Sequence, residues 1–196
     1  MNPLSAVLIT RNAAAVLESC LDSLAFADEI VVVDSASTDG TRELAARKGA
    51  RVVQKEWLGF GRQKQFAVEQ AKHDWVLCLD ADERVSPELA RSIRAALAAP
   101  GSPVYRMPRR NRFLGRWLSH GEGYPDWIVR LFDRRRARWS EDPVHEQVVA
   151  GILSKEQARS HPLKNVVTRA LGGTPTTGGR PRGSSPPVRV SAGSCG

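Results

Sequence analysis

Four short apolar runs recur along the first eighty residues, each closed by a polar turn: Ser5-Ala6-Val7-Leu8-Ile9-Thr10, Ile30-Val31-Val32-Val33, Arg51-Val52-Val53 and Trp75-Val76-Leu77-Cys78-Leu79. Runs of this length, rich in β-branched residues, predict buried strands. The second is apolar throughout, as a parallel strand covered on both faces is. Between the first two, Val16, Leu17, Cys20, Leu21 and Leu24 fall at helical spacing, so the pattern predicts an amphipathic helix over 13–25 with Asn12 as its N-cap. A second helix is expected from Thr41 to Lys48, with Gly49 just past its end, and a third over about 62–72. Ser86-Pro87-Glu88-Leu89 reads as a fourth helix start, Ser86 the N-cap and Pro87 the first helical residue. That helix stops before Pro100-Gly101. Strands alternating with helices predict an α/β architecture, a mostly parallel sheet flanked by helices on both faces, with right-handed connections.

From residue 102 the pattern changes. Val104-Tyr105-Arg106-Met107 and Trp127-Ile128-Val129-Arg130-Leu131-Phe132 are strand candidates. Between them lie Arg109, Arg110, Arg112 and Arg116, interleaved with Phe113 and Trp117, and a Gly-rich aromatic loop over 119–126. Arg134-Arg135-Arg136 and Val144-His145-Glu146 follow. Residues 1–150 are read as one domain and 151–196 as an atypical tail. Within 172–196, 18 of 25 residues are Gly, Pro, Ser or Thr, a composition that cannot bury enough apolar surface to offset its ordering entropy. This stretch is expected to be disordered. Its Gly, Pro, Arg, Ser and Thr content is what a GC-rich gene yields out of frame, so a frameshifted or truncated end is expected from about residue 161.

Composition changes this picture little. At 196 residues, 41% hydrophobic and 26% charged, the chain suits a soluble globular domain. No run approaches the ~18 apolar residues that span a bilayer, and Met1-Asn2-Pro3-Leu4 carries no signal-peptide pattern, so a cytoplasmic location is expected. Cys20, Cys78 and Cys195 are scattered and odd in number, which suits reduced thiols better than a disulfide framework or a zinc site. The net charge of +8 invites a nucleic-acid partner, but it is unevenly placed. Residues 1–150 hold 22 Lys+Arg against 20 Asp+Glu, and 151–196 hold 7 against 1. Most of the excess is in the tail, and no base-stacking sheet or recognition-helix pattern accompanies it. Nucleic acid is therefore not an expected partner.

The candidate chemistry sits at the end of the fourth strand, Leu79-Asp80-Ala81-Asp82-Glu83. Carboxylates at i and i+2 of an extended segment share a side, and the ends of parallel strands form the rim where open α/β sheets bind ligands. Asp80 and Asp82 thus suit a hard divalent cation, Mg²⁺ or Mn²⁺, which keeps positions for water and phosphates. A dinucleotide-binding fold needs a glycine-rich turn after its first strand; Thr10-Arg11-Asn12-Ala13-Ala14 has none.

Three motifs in order, Ile9-Thr10-Arg11-Asn12, Val33-Asp34-Ser35 with Ser37-Thr38-Asp39-Gly40-Thr41, and Asp80-Ala81-Asp82-Glu83, resemble the family 2 glycosyltransferases, which have the GT-A fold. Tyr124-Pro125-Asp126-Trp127, Arg130-Leu131-Phe132 and Val144-His145-Glu146 resemble the branch with the lipopolysaccharide core β-glucosyltransferases. The resemblance spans roughly residues 4–147. It implies a nucleotide-sugar half at about 1–100, an acceptor half at about 101–150, and transfer of a sugar, glucose in this branch, from a UDP-linked donor to a saccharide or glycolipid acceptor with inversion. Asp34 would bond the uracil or ribose, Thr10 would border the base, and Lys64 would face the diphosphate. Asp80 would bind metal or ribose, Asp82 the metal, and His145 the metal or departing diphosphate. The base would be Asp126, with Glu146 in reserve and Glu122 third. Asp39 and Thr41 are expected to cap a helix. The arginines of 106–116 and 134–138 are either a solvated face or a surface for an anionic acceptor or the inner membrane.

Rival readings are weaker. A phosphatase built on two aspartates carries them on its first strand, and a nucleotidyltransferase of this fold has a glycine-rich, lysine-bearing loop after strand one. A remnant that binds a nucleotide sugar without transferring it is the non-enzyme alternative.

Overall fold

The computed structural model describes residues 1–113, 116–117, 125–141, 146–150, 161–163 and 167–169. The first hundred residues alternate as their apolar pattern predicts: β1 (Leu4–Thr10), α1 (Ala14–Ser23), β2 (Glu29–Asp34), α2 (Thr41–Arg47), β3 (Arg51–Gln54), α3 (Phe60–Glu69), β4 (Trp75–Asp80), β5 (Glu83–Val85) and α4 (Pro87–Ala98). Strands then dominate: β6 (Val104–Phe113), β7 (Arg116–Trp117), β8 (Asp126–Asp133), β9 (Ala137–Trp139), β10 (Val148–Ala150), β11 (His161–Pro162) and β12 (Val167–Arg169).

The strands β3, β2, β1 and β4 lie side by side and parallel, with Thr10 opposite Asp34 and Ile9 opposite Asp80. The C-terminal ends of β1, β2 and β4 therefore meet at one rim. Beyond β4 the order runs β8-β6-β12-β5, with β8 antiparallel to β4 and to β6. β4 and β5 are joined by only Ala81 and Asp82, yet three strands separate them in the sheet. Flat, four strand spacings would cover about 19 Å, whereas the three steps from Asp80 to Glu83 reach about 11 Å. The sheet must curl, and it curls around the Ala81-Asp82 turn.

Alternation along the strands splits the core. Ala6, Leu8, Leu77 and Leu79 face Leu17, Leu21, Leu24, Ile93 and Leu97 of the α1 and α4 side. Val7, Val31, Val33, Val76 and Cys78 face Ala67 and Val68 of α3, with Phe132 and Trp139. Cys20 and Cys78 are buried free thiols; Cys195 lies outside the described residues. Among the described residues no helix is long and apolar enough to cross a membrane.

Helix ends follow local chemistry. Ser86 accepts the Leu89 N–H at 3.1 Å with Pro87 next to it, as expected. Replacing Ser86 with Ala should lower the unfolding free energy by about 1 kcal/mol, read as a shift of the urea midpoint at constant slope; Ser86→Thr should retain most of it. Gly49 takes φ 81° past α2. Asn12 does not cap α1. It sits at φ 50°, one residue too early, and its side-chain oxygen accepts the Thr38 N–H at 2.9 Å. The opening N–H groups of α1 are accepted across the rim instead, Ala13 by Thr41 Oγ1 at 2.8 Å and Ala14 by Asp39 Oδ2 at 3.0 Å.

The stretch 172–196, expected to be disordered, lies outside the described residues, but two short pieces of the tail before it are placed. Residues 161–163 and 167–169 join the main sheet, β11 along β6 and β12 between β6 and β5, with Leu163 and Val167 buried. Strands of two or three residues are too short to show a period, and their stability comes from neighbours that composition does not reveal. The rest of that segment lies outside the described residues.

Candidate active site

A cavity of about 1080 Å³ opens at the rim where β1 and β4 end. Its walls include Thr10 at the end of β1 and Arg11 after it, Phe60 and Lys64 of α3, Asp80 at the end of β4 and Asp82 after it, Arg130 of β8, Glu146 and Arg169.

Seven of the surrounding side chains form an alternating chain of charge. Lys64 Nζ lies 3.0 Å from Glu146 Oε1, 3.3 Å from Asp80 Oδ1 and 4.8 Å over the Trp139 ring. Asp80 Oδ2 accepts Arg130 Nη2 at 2.7 Å, and the same nitrogen donates to Glu83 Oε1 at 2.9 Å. Glu83 Oε1 is also 3.4 Å from Arg109 Nη1. Arg109 in turn clamps Asp126 Oδ2 through Nε at 2.8 Å and Nη2 at 2.6 Å. The order is Glu146, Lys64, Asp80, Arg130, Glu83, Arg109, Asp126. Charges this deep persist only when paired; Glu83 is 0% exposed and Arg130 5%.

Protonation follows from these neighbours. Burial opposes the Arg130 charge, but the Asp80 and Glu83 carboxylates outweigh it and hold the guanidinium protonated well above its ordinary range. Burial likewise opposes the Asp80 carboxylate, and Arg130, Lys64 and Arg169 outweigh it, holding Asp80 well below the usual carboxylate range. A carboxyl group depressed on folding contributes its full stability above the ordinary carboxylate range and loses it as pH falls toward the folded value. The melting temperature should therefore be flat from about pH 6 to 8 and drop below about pH 4. Asp80→Asn should make that acid limb shallower in scanning calorimetry. Cys78, by contrast, is pushed up to about 11 by burial, which leaves it an unreactive thiol.

Glu83 also shapes the turn. Its Oε2 accepts the Asp80 N–H at 3.1 Å, fixing the loop that carries Asp80 and Asp82. Asp82 Oδ2 accepts Arg169 Nε at 2.7 Å.

Thr10, Lys64, Asp80, Asp82 and Glu146 are thus brought to one cavity. Two others are not. Asp34 is 0% exposed and lies beneath the wall, its Oδ1 accepting the Ser37 N–H at 2.9 Å and its Oδ2 the hydroxyls of Thr10 and Ser37. It orders the loop after β2. Asp126 stands at the far end of the charge chain, outside the cavity walls. His145 and Glu122 lie outside the described residues. Asp39 and Thr41 bond helix termini, with Asp39 Oδ1 accepting the Thr41 N–H at 3.1 Å.

Sequence reasoning named Glu83 and Arg130 only within motifs, offered Arg109 only as a solvated face or a surface for an anionic acceptor or the membrane, and did not name Arg169. Arg130 carried a signal: one arginine inside the buried run Ile128-Val129-Arg130-Leu131-Phe132 requires a buried anion beside it. Nothing local marked Arg169.

Comparison with known proteins fits this geometry. The family model described as Glycosyl transferase family 2 matches residues 5–158. The lipopolysaccharide core biosynthesis glycosyltransferase LpsC of Rhizobium meliloti is 37% identical over 154 residues, covering 75% of this chain and 57% of that protein. An uncharacterized glycosyltransferase of Rickettsia bellii is 46% identical over 103 residues, 52% of this chain and 35% of the relative. The chain therefore spans 35% to 57% of the length of these two relatives. The crystal structure of S. aureus TarS 1-349 in complex with UDP superposes with a TM-score of 0.51 and 28% identity, over 60% of this chain and 38% of that one.

Proposed function

We propose that this chain, which belongs to glycosyl transferase family 2, moves a hexose, glucose in the first instance, from UDP to a hydroxyl of a saccharide acceptor in the lipopolysaccharide core or another cell-envelope glycan, with inversion. One observation carries the reading: Asp80 and Asp82 stand on the wall of the same cavity as five cations, Arg11, Lys64, Arg109, Arg130 and Arg169. With Glu146, three acids and five bases suit a diphosphate and the counter-charge it brings. The similarity to LpsC and to UDP-bound TarS supports the acceptor class and the nucleotide.

The residues fit a divalent cation, Mg²⁺ or Mn²⁺, of the kind that takes one or two protein carboxylates and completes its shell with water and phosphate. Asp82 would be the ligand, with its side chain 24% exposed and paired, among the described residues, to the half-buried Arg169. Asp80 orients the turn, since both its oxygens face cations. Among the described residues no three His, Cys, Asp or Glu side chains converge as an all-protein cage. When bound, the ion would supply positive charge against the leaving diphosphate.

The remaining chemistry falls to the chain. Lys64 and Arg130 hold the diphosphate oxygens as negative charge develops on them. Glu146 takes the proton of the acceptor hydroxyl while the oxygen of that hydroxyl bonds to the sugar C1, and the C1–O bond to the diphosphate breaks on the opposite face. Lys64 now shares Glu146 and Asp80; turning to the diphosphate, it frees Glu146 for that proton. Asp126 supports this assembly through Arg109. The reaction belongs in the cytoplasm, at the inner membrane surface.

The test is incubation with a panel of radiolabelled nucleotide sugars, with and without Mn²⁺. Turnover of one UDP-sugar that requires the ion supports the reading. Failure to bind any nucleotide sugar contradicts it.

A further inference from the structure

We infer that Trp57 and Phe60 form a stacking platform for a pyranose ring of the saccharide acceptor, an inference that rests on the transferase reading above. Both rings line the cavity, yet Trp57 is 44% and Phe60 53% exposed. Large aromatic side chains left open to water beside a cleft mark a binding surface. They are not loosely held. The rings meet edge to face, centroids 4.8 Å apart at 86°. Buried Gln63 pins their loop, its Oε1 accepting the Leu58 N–H at 3.1 Å and its Nε2 donating to Ser35 Oγ at 3.0 Å.

Position selects the occupant. Phe60 is one helical turn before Lys64 on α3, so the two side chains share a face, and Lys64 bonds Glu146, the group that takes the acceptor proton. The platform therefore flanks the acceptor's side of the cavity. A pyranose presents an apolar C–H face and a hydroxyl edge, which match an aromatic ring bordered by a carboxylate and an ammonium. A wholly apolar acceptor would meet charge on the other walls. Trp127, also on the rim, has the Arg106 guanidinium 5.0 Å over its ring and serves as the control.

Calorimetric titration of the full chain tests this, first with UDP and then, at saturating UDP, with core oligosaccharide released from lipopolysaccharide by mild acid. Trp57→Ala and Phe60→Ala should bind UDP as the wild type does and the oligosaccharide about ten-fold more weakly; Trp127→Ala should match the wild type in both. Equal loss of UDP affinity would make the platform a base-binding surface and overturn the inference. So would unchanged oligosaccharide affinity with loss of binding to anionic vesicles. A wild-type chain that binds UDP but no oligosaccharide overturns the platform and leaves the donor site standing. One that binds no UDP removes both.

Discussion

Asp82→Asn lowers sugar transfer by about a thousandfold and leaves the melting temperature nearly unchanged. The asymmetry follows from where Asp82 sits. Its carboxylate faces the cavity and has Arg169, with a side chain 33% exposed, as its partner. Removing the charge strands no buried cation, because water reaches that guanidinium. What is lost is the anion that would hold the cation against the leaving diphosphate. Asp80→Asn differs, for Asp80 balances Arg130, whose side chain is only 6% exposed, and Lys64, at 9%. Losing one member of a buried charge set is costly, so that variant should lose stability as well as activity. Initial rates beside thermal scans of the two variants separate the roles. Equal destabilisation by both would mean that Asp82 is structural.

Glu146→Gln gives the second large effect, a loss of about 10²- to 10⁴-fold in transfer with UDP affinity retained or improved. The amide cannot accept the acceptor proton, and it holds Lys64 less firmly, which leaves the ammonium to the diphosphate. Asp126→Asn should cost far less activity and show instead as lower stability, because its carboxylate is held in the fork of Arg109 and does not itself line the cavity. Transfer rates and UDP titrations on both variants decide. A dead Asp126→Asn enzyme beside an active Glu146→Gln enzyme would exchange the two assignments.

Much of the nucleotide half of the GT-A-like fold was legible because its signals are local. Apolar runs set the strands β1 to β4, Ser86-Pro87 set a helix start, and the i, i+2 spacing of Asp80 and Asp82 put both acids at a strand end. What was not legible depends on partners far along the chain. Asp34 reads as a strand-end acid free to meet a ligand; only the placement of Thr10 and Ser37 shows that its oxygens are taken. Asn12 reads as a helix cap, and the caps come instead from Asp39 and Thr41, more than twenty residues on. Strand β5 is three residues long and pairs with β12, over eighty residues away, so no window around either reveals it. The base choice turned on the same point, since Arg109 and Asp126 meet across β6 and β8, and Lys64 and Glu146 across half the chain.

The most direct measurement is a crystal structure of the chain soaked with UDP and Mn²⁺. The diphosphate should lie in the cavity between Lys64 and Arg130 on one side and Asp82 on the other, with the ion on Asp82 and Arg169 displaced from it. Nucleotide density elsewhere on the surface, or a cavity in which Arg169 still covers Asp82 at saturating UDP, would contradict the account.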